Sequence, residues 1–107
     1  MFTQVNLIGH LVDVPEVRKA GEKKLVTLRV ATNYYEQDEE KPMFHNVSFW
    51  LNSVIERVEA NKYNKGDLVF ISGKLKPSTY KRKDGSSVET YEVIGSSLIK
   101  LTTKANI

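Results

Sequence analysis

Between Phe44 and Leu51 the side chains alternate in character. Val47, Phe49 and Leu51 fall on one face, and Phe44, Asn46, Ser48 and Trp50 on the other. A period of two is the signature of a β-strand, whose successive side chains point to opposite sides. The first set reads as core. The second sets polar residues between two large rings, one of them the only tryptophan of the chain. Such a face either stacks on flat ligands such as nucleic-acid bases, or covers the edge of the core or a subunit contact.

The same period recurs on both sides of this stretch. Residues 1–12 predict a first strand with Val5, Leu7, Gly9 and Leu11 on one face and Asn6, Ile8 and His10 on the other. Gly9 inside it signals a bulge or a close backbone approach. Pro15 ends or bends the strand, because proline cannot donate to a ladder. A turn at 20–23 leads to a second strand over 25–33, with Val26, Leu28 and Val30 inward and Thr27, Arg29 and Ala31 outward. Arg29 at mid-strand is solvated, salt-bridged or aimed at a phosphate. Residues 34–43 read as a polar connection around the acidic run Glu36 to Glu40, with Tyr34 and Tyr35 placed at its base to stack.

The period changes to that of a helix over 52–65, where Leu51, Val54, Ile55 and Val58 recur at helical spacing. Ser53 with Glu56 has the form of a capping box, and Gly66 is a stop. A fourth strand follows over 67–76, with Val69, Ile71, Gly73 and Leu75 inward. By parity Lys74, Lys76, Ser78 and Tyr80 point outward. A long hairpin tip turns at Asp84-Gly85, a strong tight-turn pair. The fifth strand returns over 88–101, with Tyr91, Val93, Ile99 and Leu101 on one parity and a bulge expected at 95–97.

These elements predict an all-β barrel with one helix. The order is that of a five-stranded OB-fold, with the helix between the third and fourth strands and a long final hairpin, a fold that binds ligands across its second and third strands. An antiparallel sheet covered by a helix is the plainer alternative. Residues 1–102 form the expected domain, and 103–107 a short tail.

At 107 residues the chain is one domain with a small core. It has no cysteine, which removes disulfides and thiolate metal sites. No apolar run approaches the ~18 residues needed to span a bilayer, and no secretory leader is visible, so no membrane partner and a cytoplasmic location are expected. The net charge of +3 is unevenly spread. Residues 1–53 carry six Lys/Arg against seven Asp/Glu, and residues 54–107 carry ten against six. The excess gathers at Lys74, Lys76, Lys81, Arg82 and Lys83, beside Tyr80. Cations neutralise phosphates, and rings stack on any base without reading sequence.

No catalytic residue, metal site or cofactor is expected. The two histidines lie far apart in sequence, and there is no phosphate-binding glycine loop and no cysteine nucleophile. His45, beside the aromatic strand, and the outward face of the first strand (Asn6, Ile8, His10) are expected at subunit contacts.

Five stretches resemble one family in this order and spacing. They are Asn6-Leu7-Ile8-Gly9-His10-Leu11 with Pro15-Glu16-Val17-Arg18; Leu28-Arg29-Val30-Ala31-Thr32; Phe44-His45-Asn46-Val47; Lys62-Tyr63-Asn64-Lys65-Gly66-Asp67; and Ile71-Ser72-Gly73-Lys74-Leu75 leading to Tyr80 and Asp84-Gly85. Over almost its whole length the chain resembles the bacterial single-stranded DNA-binding proteins. The resemblance implies an OB-fold homotetramer, a dimer of dimers, that wraps single-stranded DNA. It implies base stacking at Phe44, Trp50 and Tyr80, where the family carries Trp, Phe and Trp. A further family tryptophan falls near Glu36, where only Tyr34 or Tyr35 offers a substitute. It places the histidine matching His45 near the tetramer contact. Arg29, Lys74, Lys76, Lys81, Arg82 and Lys83 are the expected phosphate contacts. Cellular members carry a flexible tail with an acidic tip that recruits partners; this sequence runs to Ile107 without one, as a naturally short member or a domain cut at its boundary would. The expected function is sequence-tolerant binding and protection of single-stranded DNA in replication, recombination or repair, in a cellular, phage or mobile-element setting. The alternative is a protein–protein adaptor of a primosome-like assembly.

Overall fold

The computed structural model describes residues 3–102; the tail assigned to 103–107 lies outside them. Six strands and one helix follow in the order β1 (Val5–Leu11), β2 (Glu16–Ala20), β3 (Lys23–Glu36), β4 (Glu39–Phe49), α1 (Asn52–Glu59), β5 (Leu68–Lys81) and β6 (Ser87–Thr102). The sheet order is β1-β5-β6-β4-β3-β2, and β1 also pairs with β3, which closes the barrel. The sixth strand arises at Pro15. Beyond this break residues 16–20 pair with β3 through a turn at Gly21, whose φ is +65°. β1 and β2 therefore take successive stretches of β3, as two legs of one bent strand. With the legs counted together, the helix keeps its expected place after the third strand.

Most of the inward set is the expected one, and Leu98 joins it. Leu11, Val26, Leu28, Val30, Val47, Phe49, Val69, Ile71, Val93 and Leu98 fill the barrel, and Val54, Ile55, Val58 and Tyr63 plug one end. Gly9 marks a close approach, since a Cβ there would overlap the Ala31 carbonyl. At Gly95 a Cβ would strike the buried Phe49 ring.

Several expectations are corrected. The helix stops at Glu59, not Lys65, because Asn61 turns left-handed (φ +58°) and Asp67 then ties the chain, accepting from the Asn64 N–H at 2.8 Å. Leu51 is not core; it is the helix N-cap residue and stands exposed, and no side chain caps the helix, so the Ser53/Glu56 box is not made. The bulge at Ser96 is where expected, but its extra residue reverses parity: Leu98 turns inward, and Ile99 is thrown outward. Leu101, left over at the second irregularity of the β5–β6 ladder, is exposed as well. Leu75 and Tyr91 share the inward parity of Val93, but they lie where the ribbon has left the barrel and are exposed.

The connection over 34–43 is not a loop. β3 and β4 stay paired out to Glu36 and Glu39, joined by Gln37 and Asp38 with φ of +52° and +64°. Positive φ at both central residues is the hairpin turn that suits strand twist, and aspartate tolerates it. β5 and β6 likewise run on to Lys81 and Ser87. Among the described residues β4 and β6 pair at Val47–Ser48 and Val93–Ile94, in parallel. Two hairpin arms thus leave the barrel in one direction and are not paired with each other beyond it, one tipped by Glu36, Asp38, Glu39 and Glu40, the other by Lys81, Arg82 and Lys83.

Candidate nucleic-acid interface

Register settles which side chains share a surface. Across β3 and β4, Arg29 is opposite Asn46, Ala31 opposite Phe44, and Tyr35 opposite Glu40. Ser48 stands beside Ile94 on β6, and across β6 and β5 Ile94 faces Lys74, Glu92 faces Lys76, and Val88 faces Tyr80. Paired residues point to the same side of a sheet. One outward face therefore runs over both arms, bearing the rings of Tyr35, Phe44 and Tyr80 with Arg29, Lys74 and Lys76. Phe44 and Tyr80 are 48% and 52% exposed. The Arg29 guanidinium lies over the Phe44 ring, 4.5 Å from its centroid, the geometry of a cation–π contact.

The remaining candidates are placed differently. Tyr34 has the opposite parity to Tyr35 and lies on the reverse of its arm with Met43 and His45. Lys81 also has the reverse parity, at the base of the tip that holds Arg82 and Lys83. That tip is closed by the Arg82 N–H donating to the Ser86 carbonyl at 2.8 Å. Asp84 accepts from the Ser86 N–H and hydroxyl, which hold its carboxyl below the usual carboxylate range. Trp50 stands one residue beyond β4, half-exposed in a hollow against Lys23, Lys24, Ile55, Glu56 and Glu59. Six residues separate it from Phe44, about 20 Å along a strand. The structure turns Tyr35, Phe44 and Tyr80 to the same outward face, the first two on one arm and the third on the other, and leaves Trp50 beyond the end of β4.

The contact candidates divide in two. Asn6 and Ile8 stand in outward rows, Asn6–Ser72–Ser97 and Ile8–Phe70–Ile99. The second is an apolar strip, with Ile8 and Ile99 exposed. His10 is opposite Ala31, itself opposite Phe44, so it borders the ring-bearing face. His45 is on the other side, its Nε2 2.9 Å from the Thr32 hydroxyl, and burial lowers its pKa. Glu92 is the face residue that sequence reasoning passed over. Counting strand pairs back from the Asp84-Gly85 turn sets it opposite Lys76.

A closed barrel with one plugging helix and an open aromatic, lysine-bearing face defines the OB-fold class of binding domain. Within that class the chain belongs to the single-strand binding protein family, whose profile matches residues 2–101. Among solved structures it is similar to the Plasmodium falciparum SSB in complex with ssDNA, with a TM-score of 0.80, 23% identity, and 94% of this chain and 96% of that one covered. It is also similar to the mitochondrial single-stranded DNA-binding protein Rim1 of S. cerevisiae, with a TM-score of 0.77, 14% identity, and 96% and 98% covered. Among the described residues no helix is long and apolar enough to cross a membrane.

Proposed function

We propose that this chain binds single-stranded DNA with little regard to sequence, coating and protecting it during replication, recombination or repair. Bases stack on Phe44, Tyr35 and Tyr80, and phosphates meet Lys74, Lys76 and the Lys81-Arg82-Lys83 tip. The observation that carries this reading is the register, which turns rings from two different arms outward onto one lysine-bearing face. Family membership supports it. Stacking contributes ~1–3 kcal/mol per base and is indifferent to base identity. The protein is a binder, not a catalyst, acting in the cytoplasm as a dimer of dimers. The Ile8–Phe70–Ile99 strip supports assembly, since an apolar row on an outer wall is stabilised by a second copy.

The test is fluorescence anisotropy of a labelled oligothymidylate titrated at several salt concentrations. About four phosphate contacts per subunit give a log–log salt slope of roughly −3. A protein that leaves the oligomer free at low salt would overturn the reading in favour of an adaptor.

A further inference from the structure

Two ways lead a bound strand from the arms toward Trp50. One follows β4 over a hollow of about 340 Å³. Among the described residues Asp13, Glu16 and Glu92 line it, against the guanidiniums of Arg18 and Arg29. Both guanidiniums are engaged, Arg18 with Glu16 at 3.1 Å and Arg29 with the Phe44 ring. Asp13 accepts from the Val14 N–H at 2.9 Å, and neither it nor Glu92 has an ion-pair partner among the described residues. The parallel seam between β4 and β6 is what brings Glu92 into this hollow. Carboxylates left without cations repel phosphate.

The other way follows β5. A groove of about 910 Å³ is lined by residues 72–77 of that strand, by 94–96 of β6 and by Leu51, the N-cap residue of α1. Its walls carry the apolar side chains of Leu51, Leu75, Pro77 and Ile94. Among the described residues its charged groups are Lys74 and Lys76, and neither has a hydrogen-bond or ion-pair partner. Lys74 is opposite Ile94, and Ile94 stands beside Ser48, two residues before Trp50. The groove is therefore continuous with the lysine-bearing face and ends at the neighbour of Trp50. Exposed apolar walls joined to free cations suit a ligand that is apolar along one side and anionic along the other. A single nucleic-acid strand, with its bases on one side and its phosphates on the other, has that character.

We infer that the groove along β5 carries a further stretch of the bound strand, with bases against Leu51 and Ile94 and phosphates at Lys74 and Lys76, and that the acidic hollow on β4 is bypassed. This rests on the proposed function and adds the course of the strand beyond the arms.

The experiment places one carboxylate on each course. Leu51→Asp is compared with Leu51→Asn, and Asn46→Asp, in the hollow, with wild type. Asp and Asn are both preferred N-cap residues, so neither change at Leu51 should lower Tm. Binding of a labelled oligothymidylate is measured by anisotropy at several salt concentrations. Leu51→Asp should bind ~fivefold more weakly than Leu51→Asn at low salt, the effect of one like charge a few ångströms from a phosphate in water. The gap should close as salt rises, because salt screens it. Asn46→Asp should bind within about twofold of wild type. Equal binding by Leu51→Asp and Leu51→Asn overturns the inference. So does a loss in Asn46→Asp as large as that in Leu51→Asp, which would lay the strand over β4 and leave the proposed function intact. A wild type that leaves the oligomer free at low salt removes the proposed function itself, and this course with it.

Discussion

Replacing Phe44 with alanine separates the aromatic face from every other part of the protein. The ring is half-exposed, stands outward on β4 and carries the Arg29 guanidinium at 4.5 Å. It contributes nothing to the buried cluster. The stability cost is therefore confined to the surface cation–π contact, ~0.5–1 kcal/mol at an exposed site. Binding loses one stacking platform, ~1–3 kcal/mol, or roughly five- to 150-fold at about 1.36 kcal/mol per tenfold. The salt slope should not change, because no phosphate contact is removed. Tyr34→Ala, on the reverse of the same arm, is the matched control and should change affinity less than about twofold. The assay is anisotropy with labelled oligothymidylate at three salt concentrations, alongside thermal unfolding. A Phe44→Ala protein that melts normally and binds within twofold of wild type would refute the reasoning. Equal losses in Phe44→Ala and Tyr34→Ala would refute the assignment of faces.

Three further outcomes are expected. Gly95→Ala drives a methyl into the Phe49 ring, an overpacking that costs typically 1–3 kcal/mol and should lower Tm by at least about 4 °C in a calorimetric scan; an unchanged Tm would remove the close contact. His45 has a folded pKa lowered from 6.5 by burial, so the native state resists a proton that the unfolded chain accepts. Stability from this group is complete above pH 6.5 and is lost as the pH falls below it toward the folded pKa; denaturant midpoints of His45→Asn should vary less than wild type across that window, and parallel curves would dismiss the effect. Ile8→Glu places a charge in the exposed apolar strip and should reduce the mass of the free protein in light scattering while leaving its far-UV dichroism intact; an unchanged mass would move the contact elsewhere.

Strand interiors were readable because alternation is a local property. Val26, Leu28, Val30, Val47, Phe49, Val69 and Ile71 reach the core as their spacing requires. The misreadings cluster where one residue changes the phase or a non-local partner decides. Ser96 is a single extra residue, yet it moves Leu98 inward and Ile99 outward, and nothing on the amino-acid side fixes which residue of Gly95-Ser96-Ser97 is the unpaired one. Residues 34–43 looked like a loop because they are polar and lack glycine at the turn, whereas their order comes from continuous pairing along β3 and β4. Leu75 and Tyr91 keep the inward parity but lie at the end of the barrel and beyond it, where they stand exposed. For the site, parity correctly set Phe44 with Lys74, Lys76 and Tyr80, but it could not separate Trp50, because the strand ends one residue before it. Glu92 went unnoticed because its significance depends on the parallel seam with β4, a pairing between residues 46 positions apart.

That seam is two residues long, while each arm it joins is a continuous ladder closed by its own turn. Tipward of Val47 and Val93 no strand pairing joins the arms among the described residues, so they stand as two tines rooted in the barrel wall. A polymer that leans on Phe44 of one tine and Tyr80 of the other becomes a crossbar between them. Occupancy would then set the opening of the fork, and the spacing of successive bases on the strand would be the ruler that fixes it.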